Sequence, residues 1–196
     1  MDDELYYHRV FWKIDRPSKF SDEDILVEPQ MLFFFIIEVI DFAFRSNNVR
    51  GWAPLYDLDR LRADNSNKSY FNSDIGWAVC HHCAMDDAWL MATHEGFDVN
   101  KWLELPGDTF KNYTHQFLGL VIDKTKPVNV SIINGLAFTW LMARKAVENN
   151  KRSVVSRMIW DVVCLFKERF PFEWIYYDLQ QWVQAYKVRH EELHRL

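Results

Sequence analysis

The run of residues 128–147 is the feature that most constrains how this chain can fold. It reads VNVSIINGLAFTWLMARKAV and carries no charged side chain before Arg144. A helix with apolar residues on nearly every side lies either in a protein core or in a membrane. A bilayer span needs about twenty predominantly apolar residues, and Ser131, Asn134 and Thr139 interrupt this run. The run therefore predicts a buried central helix with other helices packed around it.

The composition indicates one helical domain with a large core. The chain has 196 residues, of which 49% are hydrophobic and 16% aromatic, enough for a sizeable core and too apolar for a wholly disordered chain. Only 6 Gly and 6 Pro interrupt it, which favours long helices over a fold with many turns. The net charge of -5 provides no basic field, so the sequence predicts no nucleic-acid binding.

Periodicity and turn residues divide the chain into three parts. Residues 1–20 read as a partly ordered N-terminal extension, residues 21–190 as a single helical domain with a loop at about 47–73, and residues 191–196 as a polar tail. The predicted helices are 25–45, 74–94, 99–103, a helix capped by Asp108 and Thr109, 128–147, 154–170 and 173–188. The predicted fold class is all-α, a bundle of seven to eight helices around the central one.

The cysteines and the N-terminus predict a cytoplasmic protein. Cys80, Cys83 and Cys164 cannot all pair with one another, so they do not form the disulfide framework of a secreted domain. The chain opens with the acidic sequence MDDELYYHRVFW, which lacks the apolar core of a signal peptide.

Residues 80–83, CHHC, are the sharpest candidate for metal chemistry. Thiolates and imidazoles are zinc ligands, but no second pair of ligands follows at a comparable spacing, and buried cysteines beside surface histidines are the favoured interpretation. The sequence contains no nucleophile elbow, phosphate-binding loop or glycine fingerprint. We therefore expect neither an enzyme nor a cofactor.

Several short motifs occur in the order found in one known family. Pro106-Gly107 precedes an amphipathic stretch with Phe110, Tyr113, Phe117 and Leu120, the central helix follows, and Trp174-Ile175 and Trp182 come near the end. This arrangement resembles the B-cell lymphoma two (Bcl) family of apoptosis regulators, as a divergent member. The resemblance covers about residues 74–186.

The resemblance implies a Bcl-like fold with a groove that binds a partner's amphipathic helix, the helix-in-groove mode for which this family is a standard example. It assigns the groove to Val99, Leu103, Phe117, Leu120, Val121, Asn129, Ile132, Gly135 and Leu136. It assigns the chain's own death-helix-like region to Met85, Asp86, Asp87 and Trp89. It assigns the family's second homology region to Trp174 and Trp182.

The function implied is control of cell death by binding the amphipathic helices of pro-apoptotic relatives, with a pro-survival role favoured. The location implied is the cytoplasm or the mitochondrial outer membrane. A homodimer or heterodimer and membrane association through an anchor absent from this sequence stay open. The alternatives are a pro-apoptotic, pore-forming relative of the same fold and a helical metal-binding protein that uses Cys80 and Cys83.

The sequence departs from the family at the position with the greatest effect on binding. Ile132 stands where the family has the arginine that pairs with an aspartate of the ligand helix. A partly buried carboxylate without a cation bears an uncompensated desolvation cost. The sequence therefore predicts that replacing the ligand's aspartate by alanine costs less than usual.

Overall fold

The computed structural model describes residues 29–54, 71–84, 94, 96–122, 128–170 and 179–188, without the side chains of 29–31, 82–84, 107, 108 and 129. The predicted extension at residues 1–20 and the polar tail at 191–196 lie outside this description, as does most of the predicted loop. The helices within it are α1 (Pro29–Ser46), α2 (Ser73–Ala84), α3 (Val99–Glu104), α4 (Gly107–Val121), α5 (Val128–Glu148), α6 (Ser153–Arg169) and α7 (residues 179–188). The described residues contain no strand, and the predicted all-α fold is confirmed.

Helix α5 lies at the centre of the bundle, as its sequence predicts. It contacts α1, α2, α3, α4 and α6, and every residue from 131 to 140 is buried. Its polar side chains are accommodated inside the bundle. The Thr139 hydroxyl, for example, donates to the Gly135 carbonyl at 2.6 Å. None of the described helices combines the length and the hydropathy of a membrane span.

Helix α1 shows why the flanking helices pack around α5. Every residue from 35 to 41 is buried, Glu38 and Asp41 included, so this part of the helix is enclosed on nearly all sides. The helix contacts α2, α5 and α6. One largely buried helix thus packs against three others.

A pair of asparagines ends each of the two long helices in the same way. Asn48 and Asn150 have φ values of 53° and 59°, in the left-handed region. The next amide donates back five residues, from Val49 to the Phe44 carbonyl at 3.0 Å and from Lys151 to the Ala146 carbonyl at 2.8 Å. This is the Schellman arrangement, in which asparagine can replace glycine. The chain therefore turns sharply where each asparagine pair occurs.

The start of α4 differs from the prediction. The sequence places Asp108 and Thr109 as the cap, but α4 begins at Gly107 with Pro106 in the capping position and no side-chain cap bond. The Pro106 carbonyl accepts from the Phe110 amide at 3.2 Å. Proline fits the extended backbone of the capping position. The helix therefore begins at Gly107, three residues before Phe110, the first apolar residue of its stripe.

Two glycines allow helices to approach closely. A Cβ on Gly76 of α2 would overlap the Phe42 ring of α1. A Cβ on Gly135 of α5 would lie 2.8 Å from the Phe166 ring of α6 and 2.9 Å from Ile122. The Phe42 and Phe166 rings are not the far ends of flexible side chains. A methyl group at either glycine therefore requires the helices to shift.

We predict that Gly135→Ala destabilises the bundle by about 1–3 kcal/mol, the usual cost of overpacking a core. Gly119→Ala is the matched control, because a Cβ there would have a single neighbour, the Arg169 Nη2 atom, at 3.8 Å. The control is expected to stay within about 1 kcal/mol of the parent, with helix propensity favouring alanine. Urea unfolding followed by circular dichroism measures both. Equal stability of the two variants would contradict the packing at Gly135.

Candidate functional site

A cluster of aromatic rings holds together the helices to which the sequence assigns the groove. Phe97, just before α3, contacts Tyr113 and Phe117 of α4 at centroid distances of 5.8 and 5.2 Å. It also contacts Phe138 of α5 at 5.2 Å. Because one buried ring touches both helices, Phe97 fixes the point from which α3 starts across α4 and α5.

Trp102 fixes α3 on α4. Its ring is buried and stacks on Phe110 with centroids 5.2 Å apart. Its indole Nε1 donates to the Thr114 hydroxyl at 3.0 Å, and this hydroxyl donates to the Phe110 carbonyl at 2.9 Å. A buried indole N–H left without an acceptor carries a desolvation cost. The threonine removes that cost and holds α3 on α4.

Most side chains assigned to the groove lie in the core. The buried ones are Leu103, Phe117, Val121, Ile132 and Leu136. Val99 is half-buried, and the side chain of Asn129 lies outside the described residues. Leu120 differs from all of these, because 41% of it is exposed. The accessible apolar part of the assigned groove is therefore centred on Leu120.

Gly135 and Ile132 lie inside the bundle. The space beside Gly135 is filled by Phe166 and Ile122, and Ile132 is fully buried. A glutamate at Gly135 would therefore have to displace core side chains, which makes that substitution a test of folding rather than of ligand binding. The position at which the family carries its arginine is likewise closed to solvent.

Helix α7, which contains Trp182 of the region that the resemblance assigns, packs on α2. Trp182 of α7 stacks on Tyr186 with centroids 4.6 Å apart, and Tyr186 contacts Trp77 of α2 at 6.0 Å. The Lys187 ammonium forms an ion pair with the Asp74 carboxylate at 2.8 Å. The predicted death-helix-like region and the other tryptophan of the second homology region lie outside the described residues; they are Met85, Asp86, Asp87, Trp89 and Trp174.

Cys80 is poorly suited to bind zinc. Its sulfur accepts a hydrogen bond from the Asn47 amide at 3.6 Å. Burial raises the pKa of the Cys80 thiol to about 11, whereas zinc binds the thiolate. The side chain of Cys83 lies outside the description. Among the described residues, no group of three or more histidine, cysteine, aspartate or glutamate side chains is placed to hold a metal ion.

A seam of polar residues, Lys111 and His115 of α4 with Arg157 and Asp161 of α6, runs between these two helices. Asp161 is only 2% exposed, and its Oδ2 atom has no hydrogen-bond partner. Burial raises the pKa of the Asp161 carboxyl to about 6, although the charges of Arg157 and Lys111 act against this rise. Keeping the Asp161 carboxylate ionised at neutral pH therefore lowers the stability of the folded state.

His115 joins the seam through the backbone of α6. Its Nε2 atom lies 3.1 Å from the Asp161 carbonyl oxygen, which can only accept, so Nε2 carries the hydrogen. Burial lowers the pKa of the His115 imidazole. The ring is therefore kept neutral, and it links α4 to α6 without adding a charge.

Arg169 lies at the end of this seam. It is half-buried at the last turn of α6, and its Nη2 atom lies 3.8 Å from the place that a Cβ on Gly119 would occupy. Its Nε atom is buried without a hydrogen-bond partner. Gly119 precedes the exposed Leu120. A guanidinium group and an exposed apolar side chain are thus close together at the end of α4.

The sequence interpretation missed Asp161 and Arg169 for different reasons. Asp161 lies three residues after Met158 and four before Leu165, both buried, so its position on the apolar stripe of α6 could have revealed it. Arg169 gives no comparable signal, since a basic residue in the last turn of a helix is ordinary. Its position over Gly119 depends on how α6 packs against α4.

We predict that Asp161→Asn removes a pH-dependent loss of stability. The unfolded carboxyl titrates near its usual pKa of 3.8 and the folded one near 6, so the folded state binds more protons between these values. Stability of the parent chain should therefore fall as the pH rises from about 4 to 7, by on the order of 2 kcal/mol relative to the variant. Urea unfolding at several pH values measures this difference.

Two comparisons make the Asp161 measurement specific. The lowered pKa of His115 has the opposite effect, because the unfolded ring takes up a proton first as the pH falls; His115 is present in both proteins, so its effect cancels. Glu104→Gln removes an equal charge from an exposed side chain and serves as the control. Parallel pH profiles for the parent and Asp161→Asn would contradict the assignment.

Comparison of the chain with protein-family models, with curated proteins and with solved structures finds no match. Its function is therefore inferred from the arrangement of its helices and side chains.

Proposed function

We propose that this protein regulates cell death by binding the amphipathic helix of a pro-apoptotic partner at a surface formed by α3 and α4. The single observation that carries the proposal is the position of α5, an apolar helix enclosed by α1, α2, α3, α4 and α6. It follows an amphipathic helix that starts at Pro106-Gly107 and precedes an aromatic helix, α7, that returns to α2. This order of elements supports the resemblance to the Bcl family.

The surface around Leu120 supports helix-in-groove binding. An amphipathic helix docks by placing apolar side chains spaced three or four residues apart into a hydrophobic surface. Leu120 lies seven residues after Tyr113, hence two turns along the same side of α4. Tyr113 is half-buried on this side of α4, and Val99 is half-buried at the start of α3. Together they offer a partner helix a shallow apolar strip.

A deeper site would form if α3 moved away from α4. Helix α3 has six residues, and a helix this short has little stability of its own. Trp102 holds it on α4, and the Asp98 carboxylate caps it by accepting from the amides of Asn100 and Lys101 at 2.9 and 3.2 Å. Its displacement would uncover Phe110, on which the Trp102 ring stacks. We therefore include movement of α3 in the proposed binding step.

The proposed direction of regulation is restraint of cell death, because sequestering a death helix requires only the binding surface. The proposed place of action is the cytoplasm or the mitochondrial outer membrane, where the partner helices are presented. The competing functions predict different results. A pore-forming relative would release dye from liposomes, and a metal-binding protein would retain stoichiometric zinc.

We predict that at least one synthetic peptide from a panel of pro-apoptotic death helices binds the purified chain, and that Leu120→Ala weakens this binding by about tenfold. Losing the contact of a half-exposed leucine accounts for a change of this size. Gln184→Ala is the control, because Gln184 is exposed on α7, outside the surface formed by α3 and α4. Its affinity is expected to stay within about twofold of the parent. Isothermal titration calorimetry measures all three proteins.

The peptide experiment can reject the proposal. Absence of binding across the whole panel would overturn the proposed function. Binding that is unchanged in Leu120→Ala, with the variant shown to be folded by circular dichroism, would place the peptide on another surface. Dye release from liposomes by the activated chain would favour the pore-forming alternative instead.

A further inference from the structure

We propose that Arg169 of α6 is the cation that pairs with a carboxylate on the bound helix, beside the apolar contact made by Leu120. This inference rests on the proposed function and names the residue that selects for an acidic side chain in the partner. The two groups belong to different helices, and they come together because Gly119 lies under the guanidinium group.

The burial of Arg169 supports this role. Its Nε atom has no hydrogen-bond partner, and the side chain forms no ion pair with a described residue. A buried donor left without an acceptor carries a desolvation cost that an ionised acceptor removes. A carboxylate can accept two hydrogen bonds from one guanidinium group, which makes the pair strong and geometrically selective. An acidic side chain on the partner is thus the chemically fitting ligand.

Among the described residues, the part of α4 nearest Arg169 carries little side-chain bulk. The nearest side of α4 carries Gly119, where no side chain shields the guanidinium group. The next residue is Leu120, the exposed apolar contact. An amphipathic helix carries its acidic residues beside its apolar stripe, so its docking on Leu120 would bring a carboxylate towards Arg169.

Arg169 also lies near the part of α5 at which the resemblance to the Bcl family places a cation. The end of α6 packs on the first half of α5 and the end of α4, since the Phe166 ring and Ile122 both lie against Gly135. Arg169 therefore lies at the end of the bundle where α4 ends and α5 begins. Ile132, near the start of α5, is apolar and buried. Arg169 can provide the charge that Ile132 cannot.

Two other cations have less suitable surroundings. Lys101 is exposed, and its ammonium group lies over the Tyr113 ring at 5.5 Å from the centroid. Lys167 is exposed on the same turn of α6 as Arg169. An exposed lysine is well solvated and gains little from an ion pair. These residues are therefore suitable comparisons for Arg169 rather than competing candidates of equal weight.

The test uses the peptide that binds the full chain most tightly in the panel, together with the same peptide in which asparagine replaces its aspartate. Arg169→Gln is expected to weaken binding of the parent peptide by about tenfold or more. Lys167→Gln removes the same charge two residues away and is expected to change the affinity by no more than about twofold. Isothermal titration calorimetry gives the affinities, and thermal unfolding checks that each variant is folded.

The asparagine peptide tests the pairing itself. The parent protein should lose about tenfold in affinity when asparagine replaces aspartate, whereas Arg169→Gln should lose little more, because its partner charge is already gone. Arg169→Lys should restore part of the affinity, since it keeps the charge but not the paired hydrogen bonds. This expectation reverses the one drawn from Ile132 alone.

The outcomes separate the inference from the proposed function. If no peptide in the panel binds, the proposed function is overturned and this inference with it. If a peptide binds but Arg169→Gln and Lys167→Gln change its affinity equally, the inference alone is overturned. The same holds if the binding free energies lost through Arg169→Gln and through the peptide's asparagine simply add. A loss found with Lys101→Gln in place of Arg169→Gln would move the pairing to α3.

Discussion

The burial of α5 is the constraint on which the rest of the structure depends. A helix with apolar side chains all round has no face for water, so it has to be enclosed, and α1, α2, α3, α4 and α6 each contact it. Every one of those helices needs an apolar face of its own. The close approach at Gly135 shows how tight this enclosure is, since the Phe166 ring leaves no space for a methyl group there.

The same enclosure explains why the candidate binding surface is shallow. Side chains that would form the floor of a groove, such as Val121 and Leu136, are fully buried, and α3 lies against the first half of α4. The indole of Trp102 and the hydroxyl of Thr114 hold α3 there. A short helix that is fixed by one buried polar contact can move at a small cost. The stability of the closed surface and a partner's access to it therefore both depend on the contact between Trp102 and Thr114.

The interface between α4 and α6 contains charged side chains, whereas most of the core is apolar. It contains the buried Asp161 carboxyl and the guanidinium of Arg169, each with an atom that lacks a hydrogen-bond partner. Buried groups of this kind lower stability, and apolar replacements would pack without that cost. A seam that retains charged side chains despite the cost is where a partner or a change of pH has the strongest effect, because either can satisfy or neutralise the unpaired atoms.

The sequence by itself determined the helical class, the central helix and the places where the long helices end, because these depend on local periodicity and on residues such as Asn48 and Asn150. It also placed Leu120 and Phe117 on one amphipathic helix. Which of those side chains stays exposed was decided only by the packing of α3 and α6 on α4. The position of Arg169 over Gly119 was decided in the same way, since the two residues lie on different helices and no local pattern relates them.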